Sequence, residues 1–198
     1  MASEVVDLFT ELAAILSPPG EERPVADAVT RYLRDLGLTV DEDDAGATVG
    51  SDMGNLYCRL EPTGNGGTPI FLCAHLDTVP PEGPLEPVID DGVVRNAGGT
   101  ILGSDNKAAV AVMLEATRII VREGRRHAGV ELLFTPSYGL SGGAADANVF
   151  NERGLSCLNL ANGMQDIHTA DERITVDDLE GMVEVTLALV DVAQDADA

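Results

Sequence analysis

The sequence is poor in positive charge. Its 198 residues include 34 acidic and only 12 basic side chains, which gives a formal net charge of −22, and Lys107 is the single lysine. A chain without a basic surface cannot neutralise phosphates, which argues against nucleic acid and against an anionic membrane as partners. The acidic residues are spread along the whole chain. This favours a solvated acidic surface, as in proteins adapted to high salt, over a polycation-binding tail.

Cysteines and long apolar runs are also scarce. The three cysteines form no closely spaced pair, so we expect neither a disulfide framework nor a zinc knuckle, and a reducing cytoplasm is the expected compartment. We find no basic segment of a signal peptide and no apolar run near the ~18 residues that span a bilayer. With 44% hydrophobic residues, a chain of this length can bury a substantial core, and we expect one domain over 1–198.

Predicted helices and strands alternate along the chain. Apolar residues at helical spacing predict helices at 3–16, 21–36, 105–122 and 176–192, the last with Thr175 as N-cap and Asp178 three residues later. A short helix is expected at 146–152, and strands are expected at 55–60, 69–76, 92–95, 129–135 and 155–160. Such alternation favours an α/β fold with a mixed, mostly parallel sheet and helices on both faces.

Polar residues that follow the predicted strands are candidates for a functional site. His75 ends a buried strand, and Asp77 shares its face, so this carboxylate can fix the imidazole tautomer as it does for a metal-bound histidine. A strand-end histidine satisfied by a neighbouring acid is the alternative. Asp105, at the mouth of a helix, either ligates a metal or caps the helix. His168 lies in a loop, and His127 is expected at the surface.

Four segments in this order resemble the M20 family of dizinc metallopeptidases, in particular its tripeptidase-like branch. They read AHLDTVP at 74–80, ILGSDNKAAVA at 101–111, ELLFTP at 131–136 and LANGMQDIHTADE at 160–172. The resemblance extends from the SPPGEE segment at 17–22 to the last helix. It implies a three-layer, zinc-exopeptidase-like α/β fold, and an aminopeptidase or tripeptidase that hydrolyses short peptides.

The resemblance also implies roles for individual residues. His75 is similar to the ligand of one zinc ion, and Asp77 to the acid that orients this histidine. Asp105 is similar to the carboxylate that bridges two zinc ions, and His168 to the ligand of the second. Two closely spaced metals activate a hydroxide and polarise the scissile carbonyl. Asp146 and Asn148 lie in a segment that resembles the one where the family's chain re-enters the catalytic domain, and the resemblance implies that they bind substrate.

The chain departs from the family pattern after residue 136. The family has a Glu-Glu pair there, a general base followed by a metal ligand, whereas this sequence has Ser137-Tyr138, which cannot replace a carboxylate base. A further acidic ligand and the inserted lid domain, which carries dimer contacts, also lack counterparts. We therefore expect two halves at 1–136 and 146–198 joined at 137–145, one or two weakened zinc sites, little or no peptidase activity, and a monomer.

Two other functions compete with this interpretation. Gly139-Leu140-Ser141-Gly142-Gly143 matches the nucleophile elbow of serine esterases. Ser141 would then act with His168 and either Asp166 or Asp171. The other candidate is a non-catalytic α/β scaffold with residual metal binding, since the carboxylates that catalysis needs are missing.

Overall fold

The computed structural model describes residues 3–137, 151–154, 157 and 159–196. Helices and strands follow one another along these residues. In chain order they are α1 (Glu4–Ala13), α2 (Arg23–Asp35), β1 (Val40–Glu42), α3 (Gly46–Val49), β2 (Leu56–Leu60), β3 (Ile70–His75), β4 (Pro87–Asp90), β5 (Val93–Asn96), α4 (Ser104–Glu123), β6 (Val130–Thr135), β7 (Arg173–Thr175) and α5 (Val176–Asp195).

The strands form two sheets flanked by helices. The larger sheet has the order β1-β2-β6-β3, and the smaller one has the order β4-β5-β7. The predicted mixed α/β architecture is confirmed, but parallel pairing is confined, among the described strands, to β3 and β6. These two strands are joined by a long crossover that contains α4, as parallel neighbours require. In contrast, β4 and β5 are joined by Asp91-Gly92, whose positive φ angles of 49° and 75° suit a tight hairpin turn.

The two central strands β2 and β6 bury one face of the larger sheet. Their facing pairs Leu56–Phe134, Cys58–Leu132 and Leu60–Val130 are all buried. The intervening residues point to the other face, where Arg59 lies 3.8 Å from Glu131 across the strands. The alternation of buried and more exposed residues is therefore what sets the register of this antiparallel pair.

Helix α4 contacts α1, α5 and β3 and is buried on several sides. Its apolar residues therefore surround the helix instead of forming one stripe. Lys107 is 1% exposed within this packing and donates a hydrogen bond to the carbonyl oxygen of Ile15, just after α1. Burial lowers the pKa of Lys107 to about 7, although the negative charge of Glu172 opposes this shift.

Several predicted elements lie close to their expected bounds. The strand expected at 69–76 is β3, the helix expected at 105–122 is α4, and Thr175 caps α5 by accepting a 3.0 Å hydrogen bond from the backbone N–H of Asp178. Strands β4 and β7 were not predicted. The helix expected at 146–152 and the strand expected at 155–160 fall largely or partly outside the described residues. Every helix within the described residues is too short or too polar to span a bilayer.

Candidate functional site

Three elements bring polar side chains to one edge of the larger sheet. His75 is the last residue of β3 and pairs with Thr135, the last residue of β6, so both parallel strands end at this edge. The carboxyl ends of parallel strands are where α/β proteins commonly build their sites. Asp105 lies at the start of α4, and His168 comes from the loop before β7. Residues that are 30 and 63 positions apart in sequence thus meet in space.

Asp105 lies between two imidazole rings. Its Oδ1 atom is 3.3 Å from His75 Nε2, and its Oδ2 atom is 3.1 Å from His168 Nε2. On the far side of His75, Nδ1 is 3.0 Å from the carbonyl oxygen and 3.2 Å from Oδ1 of Asp77. The four residues that the sequence analysis singled out for metal binding and orientation therefore form one continuous chain of contacts.

The two carboxylates strongly favour a proton on His75 in the metal-free chain. Burial alone would lower the pKa of His75, but hydrogen bonds to Asp105 and Asp77 outweigh it and raise the pKa to about 10. Conversely, hydrogen bonding with His75 lowers the pKa of Asp105 in spite of its partial burial, and His168 adds to this effect. The two shifts therefore favour a negative Asp105 carboxylate beside a protonated His75 ring.

A buried carboxylate that the sequence analysis missed supports the segment before Asp105. Glu172 is 2% exposed. It accepts hydrogen bonds from the backbone N–H groups of Leu102 (2.8 Å), Gly103 (3.0 Å) and Ser104 (2.9 Å), and from the Ser104 hydroxyl (2.5 Å). The sequence signal that could have pointed to Glu172 is its position at the end of the family-like segment at 160–172.

The loop that carries His168 is closed by its own hydrogen bonds. Gln165 and Arg173 exchange two backbone hydrogen bonds of 2.9 and 3.1 Å, and the Arg173 guanidinium pairs with the Asp166 carboxylate. Within this closed loop, Asp166 and His168 have positive φ angles of 49° and 65°. Such backbone is uncommon for residues other than glycine and is found at functional sites.

Ser137, where the family has its first glutamate, lies beside another buried acid. Its backbone N–H donates a 3.0 Å hydrogen bond to Glu22 Oε1. Glu22 is fully buried and also accepts hydrogen bonds from the N–H of Gly20 (3.0 Å) and the hydroxyl of Ser51 (2.7 Å). The three donors belong to three different loops, so the Glu22 carboxylate joins these loops by hydrogen bonds.

Some predicted residues lie elsewhere or outside the described chain. Asp146, Asn148 and Ser141 fall outside the described residues, so the substrate-binding and esterase predictions stay predictions. The expectation that His127 is at the surface is wrong: it is 4% exposed, and its backbone N–H donates a 2.9 Å hydrogen bond to the Thr63 hydroxyl. Burial lowers the pKa of His127.

The donor atoms around Asp105 are of the kinds that bind Zn²⁺, but there are too few of them for an ordinary catalytic zinc site. Imidazole nitrogen and carboxylate oxygen are ordinary zinc ligands. Each oxygen of Asp105 forms a pair with one imidazole, so each pair offers two protein ligands, whereas a catalytic zinc normally has three and a water. Within 3–137, 151–154, 157 and 159–196, no group of three or more His, Cys, Asp or Glu side chains could hold a metal ion.

Comparison with known proteins places this geometry in context. No protein-family model matches the chain. An uncharacterised protein of Bacillus subtilis, YqjE, is 37% identical over 131 residues, which cover 66% of this chain, and the cytosol non-specific dipeptidase of Escherichia coli is 27% identical over 183 residues, which cover 80%. The chain spans 35% of the length of each of these curated relatives.

Among solved structures, a tripeptidase from Staphylococcus aureus superimposes with a TM-score of 0.89 at 16% identity, over 98% of both chains. The aminopeptidase PepT from Bacillus cereus gives 0.86 at 20% identity, over 94% of this chain and 97% of that one. An M20 family metallo-carboxypeptidase from Sulfolobus solfataricus gives 0.53 at 17% identity, over 68% of this chain and 31% of that one. The chain has the M20 peptidase fold. The resemblance inferred from the four segments is confirmed at this level.

Proposed function

We propose that this M20-type domain binds two divalent cations, with Zn²⁺ as the natural choice, and that Asp105 would be a ligand common to both. His75 would hold one cation and His168 the other, and Asp77 would orient His75. The observation that carries the proposal is that the two carboxylate oxygens of Asp105 face two different imidazole Nε2 atoms, at 3.3 and 3.1 Å. A bound metal pair would supply an activated water and a polarised carbonyl.

The substrate class that we propose is short peptides. Its support is the fold shared with a tripeptidase and an aminopeptidase, and the similarity to a dipeptidase. The chain's own part in hydrolysis is to fix the positions of the two imidazoles and of Asp105 at one edge of the sheet. Asp146 and Asn148 are proposed to contact substrate.

We propose further that hydrolysis is slow or absent. Ser137 replaces the acid that would take a proton from the attacking water, and a serine hydroxyl is not a base at neutral pH. A non-catalytic scaffold with residual metal binding is therefore a second candidate, favoured by the two-ligand arrangement around Asp105. The monomeric state, the cytoplasmic compartment and the high-salt origin stay predictions from the sequence.

The test combines calorimetric zinc titration with a tripeptide hydrolysis assay. We expect weak zinc uptake that His168→Ala reduces, with turnover near the uncatalysed rate. The His168 side chain is 51% exposed, so its removal should leave the fold intact. His127→Ala is the control for the loss of a histidine away from Asp105, and its urea midpoint is measured as well because His127 is buried. Two tight zinc sites together with turnover like that of an intact tripeptidase would contradict the impairment, and zinc uptake unchanged by His168→Ala would contradict the site.

A serine-directed fluorophosphonate probe separates the esterase alternative. Labelling at Ser141 that persists with a chelator would favour that alternative. No contact of the described residues favours it, because His168, its proposed base, faces Asp105, while Asp166 pairs with Arg173.

A further inference from the structure

We infer that Glu172 is a positioning residue that couples the two halves of the site, the Asp105 segment and the His168 loop. The inference rests on the proposed function in one respect only, namely that Asp105 and His168 act together on metal. Glu172 itself touches neither residue's side chain in its assigned hydrogen bonds. It acts through its hydrogen bonds to the backbone that immediately precedes Asp105.

The hydrogen bonds of Glu172 span three consecutive residues. The N–H groups of Leu102, Gly103 and Ser104 and the Ser104 hydroxyl all point to one carboxylate, which is almost fully buried. Three successive backbone donors on one charged acceptor fix the path of the chain immediately before Asp105. Hydrogen bonds to a charged group in a buried setting are among the stronger ones in proteins.

The same carboxylate belongs to the loop that carries His168. The backbone N–H of Glu172 donates to the Thr169 carbonyl at 3.2 Å, and its neighbour Arg173 closes the loop onto Gln165 and Asp166. His168 therefore lies in a loop closed by hydrogen bonds, and this loop meets the Asp105 segment at two places: the Glu172 side chain and the direct contact of His168 Nε2 with Asp105 Oδ2 at 3.1 Å. The His168 side chain is half exposed, so packing around it does little to fix its position.

The shape of the Asp105 segment explains why an external support is needed. Gly103 has a φ of 76°, and the Asp105 and Asn106 backbones depart from helical angles, so α4 does not itself fix the direction of the Asp105 side chain. An ordinary N-cap would satisfy the first amides of a helix, but no side-chain cap bond is present at Gly103. Glu172, from 68 to 70 residues away, accepts instead from the N–H of Ser104, the first residue of α4, and from the N–H groups of the two residues before the helix.

The test replaces Glu172 by glutamine and follows the imidazoles as well as the metal. The chain has three histidines, so nitrogen-15 spectra of the metal-free protein can resolve each ring. In Glu172→Gln we expect the His168 Nε2 resonance to shift towards that of a free imidazole, while His127 stays unchanged. Zinc affinity should fall about 10- to 100-fold, the usual effect of losing a residue that supports metal ligands.

Two further variants separate positioning from general loss of stability. Glu22→Gln is the matched control, because Glu22 is an equally buried carboxylate with three donors that belong to other segments. It should lower the urea midpoint without moving the His168 resonance. Ser104→Ala removes one of the four donors and decides the matter if Glu172→Gln does not fold, since it should give a smaller shift of the same kind.

The possible results differ clearly. An unchanged His168 resonance in folded Glu172→Gln, or an equal shift in Glu22→Gln, overturns the inference. If Glu172→Gln does not fold, an unchanged resonance in Ser104→Ala overturns it. If the parent chain takes up no zinc, the proposed function fails, but the spectra of the metal-free variants still decide whether Glu172 positions the site.

Discussion

Restoring the missing pair of glutamates should restore hydrolysis. In the double variant Ser137→Glu/Tyr138→Glu, the new acids follow β6 directly, two and three residues beyond Thr135, the partner of His75. Ser137 is only partly buried, and its hydrogen bond to Glu22 uses the backbone N–H, which any residue keeps. A general base contributes about 10²- to 10⁴-fold to a rate. This corresponds to about 3–5 kcal/mol of activation barrier.

The assay is hydrolysis of a tripeptide by the zinc-loaded protein, with zinc affinity measured in parallel. The matched control is Ser137→Gln/Tyr138→Gln, which has the same side-chain length without the charge. We expect the Glu variant to gain both affinity and rate, because a third ligand completes a catalytic zinc site. If the Glu variant binds zinc but hydrolyses no faster than the Gln variant, the missing carboxylates are not what limits this chain.

Three further predictions follow from named contacts. Asp105→Asn should abolish two-site zinc uptake in calorimetry, whereas Asp77→Asn should weaken it about 10- to 100-fold; equal effects would refute the bridging role. Arg23 lowers the pKa of Glu42, so this pair stabilises the fold above pH ~4.5 and the stabilisation is lost as pH falls through the lowered pKa. Both side chains are 35% exposed, so Glu42→Gln should cost about 1 kcal/mol in urea unfolding at pH 7 and progressively less as the pH falls through the lowered pKa. Burial raises the pKa of Cys58 to about 11, so mass spectrometry should find this thiol unlabelled by maleimide at pH 7 until urea is added.

The parts of the fold that were predictable depend on local pattern. The apolar run at 69–76 predicts β3, and the Thr175–Asp178 spacing predicts the start of α5, because each signal lies within a few neighbouring residues. The smaller sheet was largely missed. Strand β4 is short and begins with Pro87, and β7 has three residues, so neither has enough apolar periodicity to stand out.

The residues of the proposed site could be singled out from the sequence, but Glu172, which contacts the backbone beside them, could not. His75, Asp77, Asp105 and His168 could be found because they fall in motifs with characteristic spacing. Glu172 could not be assigned its role, because its partners are backbone N–H groups about 70 residues earlier, and any residue type provides such groups. His127 was misjudged for a related reason: its polar neighbours Arg125 and Arg126 suggested exposure, while the residue to which its backbone hydrogen-bonds, Thr63, is distant in sequence.

Burial of the single lysine makes the chain a reporter of its own unfolding. Lys107 lies inside α4 with its ammonium group against the Ile15 carbonyl, so a lysine-specific protease finds its one cleavage bond inaccessible until the helix opens. The rate of this single cut at low protease concentration then measures the fraction of molecules in which the segment around Lys107 is open. Labelling of the Lys107 side chain by an amine-reactive dye, read by peptide mapping apart from the α-amino group, reports the same opening.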